Sequence, residues 1–160
     1  MKPGPSKKEH MKEAVILAGG LGTRLRNITH GIPKSMAPVN GRPFLEYVLA
    51  YLDREKIERV VVAAGYRHEQ VKAGTGNRFR NIEVVYSVED EPLGTGGAIR
   101  KALTHIESDS CLVLNGDTLF NVDTDAFRQH YNKCRPVISL ALKPMENFDR
   151  TGTLSSKETG

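Results

Sequence analysis

The chain predicts a doubly wound α/β fold built on a mostly parallel sheet, and three observations carry that prediction. Apolar runs rich in β-branched residues alternate with segments whose apolar residues recur at helical spacing. Strict alternation of this kind implies right-handed βαβ units with helices on both faces of the sheet. At 160 residues, 39% hydrophobic and 26% charged, the chain has material for one real core.

The elements follow in order. Ala14–Ala18 is a short apolar run that breaks into glycines, and reads as the first strand. Residues 19–41 hold no periodicity and are punctuated by Gly31, Pro33, Pro38 and Gly41. So long a loop in a compact domain points to function. From Pro43 a helix is predicted, with Phe44, Leu45, Val48, Leu49 and Leu52 on one face. The run "RVVVAAGY" is the second strand, followed by a shorter helix over Arg67–Ala73. "IEVVYSVE", residues 82–89, is the third strand. The next helix begins near Gly96 and turns Ala98, Ile99, Ala102, Leu103 and Ile106 to one side. "CLVLNGD" supplies a fourth strand ending at Asn115, a helix covers Asp125–Asn132, and "PVISLAL" is the fifth strand. The last residues, "FDRTGTLSSKETG", read as the entry to a strand that is not completed, so the C-terminal part is expected to be truncated.

Composition excludes several classes. The first ten residues are polar, lack the apolar stretch of a secretory signal, and are expected to be a disordered extension ahead of a domain spanning 11–160. No apolar segment approaches the roughly 18 residues needed to cross a bilayer. Net charge is +4, part of it in Lys2, Lys7 and Lys8, and no basic stripe interleaves with aromatics. Neither a nucleic acid nor a membrane is therefore expected as partner; a homo-oligomer stays open. Cys111 and Cys134 lack metal or redox spacing and read as buried thiols of a cytoplasmic protein. The five histidines are scattered, with structural or surface roles.

The chemistry begins at "LAGGLGTRL", residues 17–25. A dinucleotide fingerprint needs a third glycine where Leu25 stands, and a P-loop needs a lysine after its last glycine. Neither fits. What remains is a glycine turn that lets backbone N–H groups approach an anion, with the guanidinium of Arg24 behind it. In "IPKSMAPV" the flanking prolines restrict the backbone and present Lys34, so that Arg24 and Lys34 could clamp a polyphosphate. Asn115-Gly116-Asp117 follows the fourth strand, on the edge where open α/β sheets collect ligands. A carboxylate there, opposite phosphates, is a natural ligand for Mg²⁺.

In this order, "LAGGLGTRL", Pro33–Met36, "EPLGTGGAI" (91–99) and "LNGDTLF" (114–120) resemble the signature of the sugar-nucleotidyltransferase family over about Ala14 to Gly152. The resemblance implies a Rossmann-like nucleotidyltransferase domain that joins a nucleoside triphosphate to a sugar 1-phosphate and releases pyrophosphate. It places Gly19, Gly20, Gly22 and Thr23 along the triphosphate, with Leu17 and Ala18 also in the nucleotide site. Arg24 and Lys34 become the cationic clamp, Asp117 the Mg²⁺ ligand, Gly94 and Thr95 neighbours of the nucleoside, and Asn115 and Gly152 contacts of the sugar substrate. Glu89 stands where the family often places its base-reading side chain. Its acceptor-only carboxylate suits the paired N1–H and N2–H donors of guanine, so GTP is the expected donor. Local likeness points to D-glycero-α-D-manno-heptose 1-phosphate as acceptor. A mannose or glucose 1-phosphate enzyme, or a truncated nucleotide-binding protein without turnover, are the alternatives. The family's second metal-binding aspartate and its Glu-Lys-Pro segment have no counterpart in these 160 residues.

Overall fold

The computed structural model describes residues 11–19, 32–65 and 67–143. Those up to Asn121 form one compact unit and those from Val122 a second.

In the first unit, β1 (Glu13–Leu17) leads by way of a 3-10 turn (Lys34–Met36) to a small hairpin, β2 (Pro38–Val39) and β3 (Arg42–Pro43). Asn40 (φ 48°) and Gly41 (φ 76°) make its two-residue turn, the left-handed pair such tight hairpins demand. Helix α1 (Phe44–Arg54) buries Leu45, Val48, Leu49 and Leu52 completely. Then come β4 (Arg59–Ala64), α2 (His68–Thr75), β5 (Arg78–Phe79), β6 (Ile82–Val88), α3 (Gly94–Leu103) and β7 (Leu112–Asn115).

The main sheet has the order β5-β6-β4-β1-β7. All its pairs are parallel except the edge pair β5–β6. Taken in chain order, the four parallel strands therefore lie third, second, first, fourth across the sheet. That arrangement reverses direction between β1 and β7, as a doubly wound sheet does. Register sets Val15 beside Val61 and Leu17 beside both Ala63 and Asn115.

The central strands have no polar face. Val15, Val61 and Ala63 pack with Ala98 and Ala102 of α3 on one side, while Ala14, Ile16, Val60 and Val62 are fully buried on the other. The small alanines of α3 let the helix lie close to the sheet. Leu103, expected on that buried face, is 45% exposed. It is the final residue of the helix, and the inward positions are held by Ala98 and Ala102.

The N-terminal edge of the sheet is tied by a buried carboxylate. Glu13 accepts hydrogen bonds from Arg59 Nη1 (3.1 Å), from the Glu107 N–H (3.0 Å) and from the Ser108 N–H and hydroxyl. Burial alone would raise its pKa, but these donors outweigh it and hold the group below its ordinary value of 4.5.

The second unit contains α4 (Thr124–Cys134), whose N-terminus is capped by Asp123 accepting from the Ala126 N–H at 2.9 Å. Two expectations fail here. "PVISLAL" is not a strand: 136–143 carry no ladder, and Val137 is 97% exposed. A β-branched run becomes a strand only when a neighbour takes its backbone groups, and no such neighbour stands beside it among the described residues. Cys134, expected inside, is exposed on the last turn of α4 with its sulfur 4.0 Å from His130 Nδ1. Cys111 is half-buried.

Candidate active site

Where the strand order reverses, between the C-terminal ends of β1 and β7, the first unit opens a cleft of about 340 Å³. Open α/β sheets bind ligands at this switch point because the loops diverge there and leave a crevice.

Backbone hydrogen bonds carry the sheet one residue past its strands and so fix the walls. The Ala18 N–H donates to Ala63 O and the Gly116 N–H to Leu17 O, both at 2.8 Å; the Glu89 N–H donates to Ala64 O at 3.0 Å. Small residues make the floor. A Cβ on Gly19 would sit 3.2 Å from the Gly65 nitrogen and 3.4 Å from Glu89 Oε1. One on Gly116 would come within 2.9 Å of Leu17 O. Neither position has room for a side chain without moving backbone.

Charge enters from two sides. The 3-10 turn brings Lys34 Nζ to 3.7 Å from Asp117 Oδ2, with both side chains partly exposed to the cleft. The Thr118 hydroxyl also donates to Asp117 Oδ1 at 3.3 Å. Across the cleft, the Leu93 N–H donates to Glu89 Oε2 at 3.1 Å, and Gly94 (φ 67°) opens α3.

Every described candidate lines this one cleft: Leu17, Ala18, Gly19, Lys34, Glu89, Gly94, Thr95, Asn115 and Asp117. Gly20, Gly22, Thr23, Arg24 and Gly152 lie outside the described residues. Sequence reasoning missed Ser35, Pro92, Ala98 and Gly116, which also line it. All four sit inside motifs already singled out, so their neighbours carried the signal. The Ser35 hydroxyl is buried without a hydrogen-bond partner among the described residues. Among those residues, no group of three or more His, Cys, Asp or Glu side chains could hold a metal by itself.

A family model for nucleotidyl transferases matches residues 13–159. The chain belongs to this nucleotidyl transferase family. It is 44% identical over 147 residues to the D-glycero-α-D-manno-heptose 1-phosphate guanylyltransferase of Aneurinibacillus thermoaerophilus, covering 92% of this chain and 64% of that protein. It is 45% identical over 146 residues to the enzyme of the same name from Campylobacter jejuni, with 91% and 64% covered. Among solved structures, HddC from Yersinia pseudotuberculosis complexed with GMP-PN superposes with a TM-score of 0.68 at 38% identity, over 76% of this chain and 54% of that one. The chain thus spans somewhat under two thirds of the length of these curated relatives. The Rossmann-like α/β architecture agrees with the alternation read from the sequence.

Proposed function

We propose that the cleft is a nucleotidyl-transfer site. It would join GTP to a sugar 1-phosphate, D-glycero-α-D-manno-heptose 1-phosphate, and release pyrophosphate. One observation carries the reading: a glycine floor, a presented lysine, an aspartate and a base-side carboxylate converge on one crevice at the switch point of the sheet. The likeness to two heptose 1-phosphate guanylyltransferases supports the choice of substrates.

The chemistry follows from charge. The sugar phosphate is already an oxygen nucleophile, so no serine, cysteine or histidine base is required. The barrier is the approach of a dianion to an anionic α-phosphate. Lys34 in the cleft, with Arg24 from the glycine loop, lowers that repulsion and stabilises charge on the in-line transition state. Backbone N–H groups of the loop containing Gly19, Gly20, Gly22 and Thr23 would meet the triphosphate, and the bare Cα of Gly19 permits that approach. Gly94 and Thr95 line the nucleoside side, Asn115 the sugar side, and Gly152 is assigned to the sugar.

Asp117 suits Mg²⁺, a cation that takes one or two carboxylates and completes its shell with phosphate oxygens and water. A single partly exposed carboxylate facing the cleft fits that donor set. When bound, Mg²⁺ supplies further neutralisation of the phosphate oxygens.

Glu89 selects the base. Its carboxylate only accepts hydrogen bonds, which matches the adjacent N1–H and N2–H of guanine and mismatches adenine. We further infer a cytoplasmic protein; no helix among the described residues is long and apolar enough to cross a membrane.

The test is pyrophosphate release from GTP, Mg²⁺ and the heptose 1-phosphate. Release that depends on all three supports the reading. Arg24→Ala should then lower turnover by ~100-fold, corresponding to ~3 kcal/mol of transition-state stabilisation, without unfolding the chain. GTP binding by calorimetry with no release supports a nucleotide-binding protein without turnover.

A further inference from the structure

Glu89 does more in this fold than face a base. Its backbone is held to the sheet through the Ala64 carbonyl, and its side chain then reaches four residues forward to take the Leu93 N–H on Oε2. Its other oxygen lies toward Gly19. Leu93 is the N-cap residue just before α3, and it offers the helix no side-chain cap of its own. The first N–H groups of any helix lack internal partners, and Glu89 satisfies that of the N-cap residue itself, as the glutamate of a capping box does.

A second contact holds the same residue. A Cβ on Gly97 would fall 2.6 Å from Leu93 Cβ, so Leu93 lies against the bare first turn of α3. Leu93 is therefore held at its N–H by Glu89, and its Cβ rests against Gly97 while the rest of its side chain is half-exposed. The next residue, Gly94, has a φ of 67°, a conformation that side-chain-bearing residues rarely adopt. A Cβ added there would meet nothing within 4 Å, so it is the backbone conformation and not crowding that calls for glycine. Its placement follows from Leu93, the anchored residue before it.

We infer that Glu89 is the positioning residue for the first turn of α3, setting Gly94 and Thr95 in the cleft, in addition to selecting the base. This rests on the reading that Gly94 and Thr95 approach the nucleoside. One carboxylate then serves two purposes with two oxygens, and the two can be separated. Glutamine keeps an acceptor oxygen for the Leu93 N–H but replaces the second oxygen by a donor; alanine removes both.

The experiment compares the native chain, Glu89→Gln and Glu89→Ala in two measurements that involve no base. The first is amide hydrogen exchange at residues 93–97. The second is affinity for ribose 5-triphosphate, a nucleotide lacking its base. Glu89→Gln should match the native chain within about twofold in both, while losing preference for GTP over ATP. Glu89→Ala should exchange about tenfold faster at 93–97 and bind ribose 5-triphosphate about tenfold more weakly, as expected for loss of one hydrogen bond to a charged acceptor. Equal behaviour of the two variants in both measurements overturns the positioning role. So does loss of protection spread across the whole fold of Glu89→Ala. Faster exchange with unchanged ribose 5-triphosphate affinity shows that the placing of Gly94 and Thr95 does not serve binding in the cleft, and overturns this role. Unaltered GTP preference in Glu89→Gln, with the alanine effects intact, overturns base selection alone and leaves the positioning role standing.

Discussion

Gly116→Ala is the perturbation that the geometry of the cleft constrains most tightly. The added Cβ would lie 2.9 Å from Leu17 O, 3.1 Å from Ile16 Cγ2 and 3.4 Å from Ala18 Cα. Two of these atoms are backbone, and carbon contacts settle at about 3.5–4.0 Å, so β1 and the 115–117 turn must part by roughly half an ångström. The hydrogen bond from the Gly116 N–H to Leu17 O, now 2.8 Å, stretches as they do. Overpacking a tight site costs about 1–3 kcal/mol and a weakened hydrogen bond about 0.5–1.5. A net loss of about 2–3 kcal/mol is expected, which lowers Tm by about 5–10 °C in a chain of this size. Gly96→Ala is the control: nothing lies within 4 Å of its added Cβ, and the site is inside α3. There alanine should stabilise by about 0.5–1 kcal/mol. Urea unfolding of the three proteins gives both numbers. Opposite signs support the packing argument; a Gly116→Ala protein as stable as the native chain refutes it.

The remaining expectations concern charge and thiols. Lys34→Met removes the ammonium facing Asp117, so Mn²⁺ in the absence of nucleotide should bind more tightly by up to about fivefold, the scale of a partly exposed ion pair; weaker or unchanged binding, followed by Mn²⁺ spin resonance, would contradict the pairing. Glu13 is held ionised below its ordinary value of 4.5. Its stabilisation is thus present above that value and is lost as pH falls through the lowered one. Glu13→Gln should therefore flatten the acid limb of a stability-against-pH curve, and an unchanged limb would argue against the network. Burial and the nearby charge of Glu13 both push the Cys111 thiol up, whereas Cys134 is exposed. A maleimide at neutral pH should modify Cys134 first, as peptide mass spectrometry would reveal.

Much of the first unit was legible because its signals are local. The runs at Ala14–Ala18, Arg59–Tyr66 and Ile82–Glu89 are dense enough in apolar residues to declare buried parallel strands. Helical spacing in α1 marked Leu45, Val48, Leu49 and Leu52 of its buried face, whereas Phe44 is only half-buried and Tyr51 is buried with them. Lys34 and Asp117 are separated by more than eighty residues; the place of Asp117 on the sheet edge followed from the topology, whereas Lys34 was legible only as a lysine presented between prolines. Other features depend on tertiary partners. β5 has two residues and exists only by pairing with β6. Gly65 backs the cleft's Gly19, whose added Cβ would sit 3.2 Å from the Gly65 nitrogen, a fact invisible in "AAGY". The apolar alternation of 136–142 promised a strand, but alternation cannot supply the neighbour that a strand requires.

The central claim is that the crevice at the switch point is a nucleotide site with a guanine preference. Backbone amide NMR during titration with GTP and Mg²⁺, repeated with ATP, tests it directly. Shift changes should cluster at Leu17–Gly19, Lys34, Glu89, Gly94–Thr95 and Asn115–Asp117, saturate with GTP, and be weaker with ATP. Changes centred elsewhere on the chain, or none with either nucleotide, would contradict it.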